Sequence, residues 1–152
     1  MASFHTIGGF VDGFEPDDLE PTVACHATLR IFSERGLDFD RIEAELGVTA
    51  TSRLSRGEKA GPFGPASAGD KWLYQAPVDK TADIGEHLRI LSDTLLPRAD
   101  FLLELKKHAT LTLSVGYTTN IDHGNFVIPH GQLALFERLA LDVNVYLIAC
   151  PD

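Results

Sequence analysis

Apolar residues recur along this chain with two periods, and the period changes at turn-forming residues. Over Val23–Ser33, Cys25, Ala27, Leu29 and Ile31 alternate with His26, Thr28 and Arg30. Successive strand side chains point to opposite faces, so this pattern predicts a strand buried on one side and wet on the other. Residues 110–118 repeat it, with Leu111, Leu113, Val115 and Tyr117 set between Thr110, Thr112, Ser114 and Gly116. The polar sides of these two strands predict a sheet with one face at least partly open. Elsewhere the period lengthens. Ile84, Leu88, Leu91 and Leu95 follow one another at spacings of four, three and four. That is one face of a helix, capped by Thr81 or Asp83 and stopped at Pro97.

A second helix is expected over 99–107, with Asp100 and Glu104 early and Lys106, Lys107 and His108 late, as the helix dipole favours. A shorter one over 37–47 has Asp38 or Asp40 as its cap, Ile42 and Leu46 four apart, and Gly47 as a left-handed stop. His87 and His108 read as helix-surface residues. Strands are expected over 51–57 and 71–77, flanking GEKAGPFGPASAGD. In that loop Pro62 and Pro65 each follow glycine, which predicts no continued strand ladder. It is longer than the about 2–5 residues of most hairpin loops. A brief strand over 125–128 follows a turn, Pro129 and Gly131 open a helix running to 140, and VNVYLIA over 143–149 reads as a last buried strand. The order predicts an α+β domain. Its sheet is expected to be mostly antiparallel, of about five to six strands, with about three to four helices packed on one face.

Composition narrows the partners. The chain has 152 residues, 44% apolar and 23% charged, with a net charge of −9. One domain of ordinary soluble character suits that length. The acidic balance argues against nucleic acid and against an anionic membrane surface, and favours a basic partner during encounter. No apolar run reaches the roughly 20 residues that span a bilayer, and the first residues do not read as a signal peptide. The expected compartment is the cytoplasm. Residues 1–22 hold no Lys or Arg but carry Asp12, Glu15, Asp17, Asp18 and Glu20, with Phe4, Phe10 and Phe14 among them. They read as an acidic N-terminal arm that docks on its own domain or makes a homodimer through a neighbour; residues 23–152 read as the single α+β domain. Cys25 and Cys150 form no CxxC and read as reduced thiols. A disulfide between them would need the first and last strands to pair.

Three clusters are candidates for chemistry. Arg53, Arg56, Lys59, Asp70, Lys71 and Trp72 fall on the two strands around the loop. Arginine forks bind carboxylates or phosphates, and tryptophan supplies stacking area, so the group can form an interaction surface. The competing reading puts Trp72 in the core and pairs the arginines with neighbouring acids. His123 and His130, with Asp122, are the weak candidates for a metal, since no HExxH, HxH or cysteine partner supports them. Cys25 and His26 are adjacent on a strand, point to opposite faces and cannot form a dyad. No nucleotide-binding loop and no nucleophile elbow is present, and no cofactor is implied.

The landmarks ATLRIFS, FDRIEAELGV, SRLSRGE, Trp72 in KWLY, IGEHLRILSDTLLPRADFLLEL and FVIPHGQLALFERLALDVNVYLIA together resemble the bacterial domain-of-unknown-function family 4279, over about residues 24–149. Arg56-Gly57, Trp72 and the closing helix and strand carry most of that likeness. The resemblance implies a small cytoplasmic protein of a kind also found among toxin-immunity proteins. The acidic arm and the GPFGPASAG insert depart from it. Two functional readings follow. One is a non-enzymatic binding or protein-interaction domain, immunity-like in the sense of the resemblance. The alternative is a small enzyme or metabolite binder that uses Arg53, Arg56, Asp70 and Trp72, with loop 59–69 as a lid.

Overall fold

The computed structural model describes residues 22–120 and 125–149. Among these residues five strands form one sheet: β1 (Val23–Ser33), β2 (Ser52–Leu54), β3 (Asp70–Gln75), β4 (Thr110–Thr119) and β5 (Val143–Ala149), in the order β2-β3-β1-β4-β5. The helices are α1 (Phe39–Leu46), α2 (Ile84–Leu95), α3 (Ala99–Leu105) and α4 (Ala134–Leu139). A 3₁₀ turn, Leu96–Arg98, joins α2 to α3 almost without a break, so the described helices form three bodies.

The longest pairing sets the frame. β1 and β4 run antiparallel from Val23 opposite Thr119 to Phe32 opposite Thr110. Their matched alternation puts Cys25, Ala27, Leu29 and Ile31 beside Tyr117, Val115, Leu113 and Leu111 on one face. Trp72 and Tyr74 of β3 join that face. Against it lie Ile42 and Leu46 of α1, Ile84, Leu88, Leu91 and Leu95 of α2, Leu102 of α3 and Leu135, Phe136 and Leu139 of α4. Asp38 caps α1 by accepting from the Arg41 amide, and Gly47 ends it in the left-handed region at φ 69°. Asp83 caps α2 by accepting from the Gly85 amide.

The α+β class holds, and several finer expectations are corrected. The sheet is mixed rather than mostly antiparallel. β5 runs parallel to β4 because the chain crosses back through α4, and a helical crossover returns a strand in the same direction. The strand expected over 51–57 keeps only Ser52–Leu54, and residues 125–128 form no strand. The glycine-rich loop does carry a rung of pairing: Lys59 bridges Ala66, the Gly57 amide donates to Ser67 O, and the Ser67 amide donates to Glu58 O. β5 is exposed over most of its length instead of buried, with Tyr146 49%, Leu147 68% and Ile148 53% accessible. Among the described residues it is an edge strand, with β4 alone beside it. His87 lies in the core, not on the helix surface. β1 and β5 are not neighbours, since β4 lies between them, and Cys150 falls outside the described residues together with the arm, Asp122 and His123.

Candidate binding surface

The hairpin residues are built into the sheet edge. Trp72 is 0% exposed and stacks on Tyr74 with ring centroids 6.2 Å apart. Its aromatic face therefore packs the core. Arg53, opposite Trp72 on β2, reaches over to α1. Its Nη2 lies 2.5 Å from Glu43 Oε2, its Nη1 lies 3.0 Å from Asp40 Oδ1, and the guanidinium sits over the Phe39 ring. Asp70 ties three segments together, its Oδ2 accepting from the Leu37 amide and its Oδ1 from the Arg56 amide. The Arg56 guanidinium donates to the Glu34 carbonyl. Lys59 belongs to the loop rung, whose far end presents Phe63 at 98% exposure.

Electrostatics follow this wiring. The Arg53 guanidinium, helped by the Ala50 amide, lowers the Glu43 carboxyl to about 2. The Trp72 indole N–H has no partner at hydrogen-bonding geometry among the described residues, yet it stands close enough to Glu43 to add to that acidity. Burial lowers His87. Neither of its ring nitrogens has a partner at bonding geometry among the described residues, and the Asp79 and Ala82 carbonyls nearby offset the burial only in part. Burial raises the Cys25 thiol, and Asp83 adds to that. His130 opens the turn Pro129 leads into. No three His, Cys, Asp or Glu side chains gather as a metal set among the described residues.

The opposite face of the sheet has a different character. By register it presents Ala24, His26, Thr28, Arg30 and Phe32 of β1, with Lys71, Leu73 and Gln75 of β3 on one side. On the other side stand Thr110, Thr112, Ser114, Gly116 and Thr118 of β4, then Asn144, Tyr146 and Ile148 of β5. Ser52 and Leu54 of β2 complete it. No Asp or Glu occupies any of these strand positions, although the chain carries 22 acidic residues. Glu34 and Asp142 lie just beyond strand ends.

Arg30 and Lys71 are exposed, and neither enters an ion pair among the described residues. Arg30 lies over the Tyr146 ring at 5.8 Å from its centroid. The His26 imidazole lies across Gly116, where a methyl group would collide with it. A cleft of about 410 Å³ runs between Arg30, Phe32, Lys71, Leu73, Thr110, Thr112, Asn144 and Tyr146. Its lining combines two cations, hydroxyl and amide groups, and apolar rings. Arg30 and Thr28 were visible in the sequence as the polar side of β1. Lys71 reads as part of the hairpin, and Tyr146 and Asn144 lie in a run that reads as buried. Only the register across four strands brings them together.

No described helix is long and apolar enough to cross a membrane. No curated protein and no solved structure matches the chain. The model of one family, described as Domain of unknown function (DUF4279), matches residues 23–149, from the first residue of β1 to the last of β5. That match takes in the whole sheet and every helix described above, and the chain belongs to this family.

Proposed function

We propose that this domain is a binding module whose open sheet face takes an acidic peptide segment bearing aromatic side chains. The observation that carries this reading is the sign of the face. A chain of net charge −9 keeps every carboxylate off the strand positions there, and among the described residues Arg30 and Lys71 enter no ion pair beside a cleft. Arginine fits a carboxylate in bidentate fashion, lysine adds a point charge, and the Tyr146 and Phe32 rings offer stacking area. The net charge of the whole chain favours a basic partner at long range, but local potential governs docking. The sheet face is where that sign reverses. The alternative small-molecule reading at the hairpin has less to work with, because Arg53 and Asp70 already hold α1, residue 37 and residue 56 in place.

The test is an anisotropy titration of the full chain with a fluorescent peptide rich in Asp, Glu and Phe. Two partly exposed charge contacts contribute about 0.5–1 kcal/mol each, so Arg30→Ala with Lys71→Ala is expected to weaken binding about tenfold. Added salt is expected to weaken it further. Equal binding of a basic peptide of the same length, or an unchanged affinity in the double variant, would rule the face out.

A further inference from the structure

We infer that β5 is the joint of a homodimer, in which the β5 strands of two copies pair antiparallel across a two-fold axis and merge their sheets. The inference stands apart from the peptide reading. A contrast between the two sheet edges carries it. β2, at one edge, is three residues long and holds Arg53, which ion-pairs with α1. Short length and charge are devices that keep an edge strand from pairing with another chain. β5, at the other edge among the described residues, is seven residues long and has neither device. Val143–Ala149 contains no charged residue, no proline and no glycine.

The exposed side chains restrict how a partner approaches. Val145 and Leu147 are exposed on the side of Val115 and Tyr117, the helix-covered face of the sheet. Tyr146 and Ile148 are exposed on the open face. A partner lying on one face alone leaves the other pair in water. A strand added edge-on covers both pairs and also takes up the outward backbone groups of β5.

A second copy meets this demand. A two-fold axis normal to the sheet keeps both helical layers on one side, so residues of like facing are paired. The register centred on Tyr146 matches the whole of one β5 with the whole of the other. On the helix-covered side, Val145 meets Leu147 of the second copy, and Leu147 meets its Val145. On the open side, Tyr146 meets its own counterpart. The two clefts lined by Arg30, Asn144 and Tyr146 then flank that tyrosine pair, so each copy contributes a ring beside the other's cleft. Charge does not oppose the joint, although each chain carries −9. In this register the two Asp142 residues stand at opposite ends of the paired strands, about 27 Å apart at strand rise and well beyond a Debye length of about 8 Å.

The test begins with light scattering of the full chain at about 100 μM, where a Kd of about 10 μM or tighter leaves mostly dimer. Twice the mass of one chain is expected, and the mass of a single chain overturns the inference. Leu147→Lys sets a charge against Val145 of the second copy and should weaken the dimer at least about tenfold. A dimer indifferent to that change lies on another surface and overturns the inference. Crosslinking checks the register and does not depend on the lysine variant folding. Opposed residues of an antiparallel pair have Cα atoms about 4.5–5.5 Å apart, within disulfide reach, whereas the two Leu147 Cα atoms lie about 8 Å apart. In a Cys150→Ser chain, Tyr146→Cys is therefore expected to give a covalent dimer with copper phenanthroline, and Leu147→Cys is not. Crosslinking by both variants alike, or by neither, overturns the inference.

Discussion

Asp70 and Leu37 are joined across 33 residues by one hydrogen bond, the Leu37 amide donating to Asp70 Oδ2 over 2.8 Å. The other carboxylate oxygen accepts from the Arg56 amide at 2.7 Å. One side chain thus fixes the entry to α1 and the exit of β2 against the start of β3. Asp70→Ala leaves two backbone donors without this partner. Hydrogen bonds to a charged group contribute about 1.5–3 kcal/mol, and some water reaches this half-buried site, so a loss of about 2 kcal/mol is expected in denaturant unfolding. Asp70→Asn keeps one acceptor and should fall between. A wild-type midpoint in Asp70→Ala would show that the bridge is dispensable.

The Glu43–Arg53 pair gives the sheet edge a defined acid limit. Glu43 sits near 2 in the folded chain, below its ordinary value of 4.5. Its contribution is complete above about pH 4.5 and drains away as pH falls toward about 2, because the unfolded chain takes up the proton first. Thermal melts over that window should show a loss that Glu43→Gln removes. Arg53→Met should remove the same slope while keeping much of the side-chain volume over Phe39. If both variants keep the wild-type slope, another carboxylate is responsible.

Much of this architecture was legible where a single periodicity decides. Ile84, Leu88, Leu91 and Leu95 are all buried, as their spacing requires, and β1 alternates as its sequence does. The failures share a cause: they depend on neighbours distant in sequence. VNVYLIA reads as buried because a fully covered parallel strand has that composition, yet β5 ends the sheet of the described residues. The candidate face was half visible as polar positions on β1 and β4. Its cations and its tyrosine come from three strands whose order no local pattern encodes. His87 was misplaced despite a usable signal, since it lies three residues after Ile84 and four before Leu91, on the apolar stripe.

That buried histidine has its own pH signature. Burial holds His87 below its ordinary 6.5, so the folded chain resists the proton that the unfolded chain accepts. Stability is therefore undiminished above about pH 6.5 and falls as the pH drops below it, by at most about 1.4 kcal/mol per unit for one proton. His87→Leu removes two buried ring nitrogens that have no partner at bonding geometry among the described residues and should raise stability at neutral pH by about 1 kcal/mol. It should also flatten the profile below pH 6.5. A variant less stable at pH 7 with an unchanged acid limb would point to a partner for the imidazole.

Ala140 closes α4 in the left-handed region at φ 47°, the single non-glycine residue with positive φ among those described. An L side chain in that region costs about 1–2 kcal/mol, and glycine escapes the cost. The carbonyls of Leu139 and Ala140 are held by Lys106 Nζ from the end of α3, so the backbone conformation is fixed from outside the helix. Ala140→Gly is therefore expected to stabilise the chain by about 0.5–1 kcal/mol, reduced from the full strain by the added freedom of the unfolded state. Lys106→Met should destabilise by about 1 kcal/mol through the two carbonyls it leaves unbonded. Because both changes act on one turn, the double variant should differ from their sum. Simple additivity in a denaturant cycle would show that Lys106 does not enforce the Ala140 conformation, and the strain would then belong to the α4–β5 connection itself.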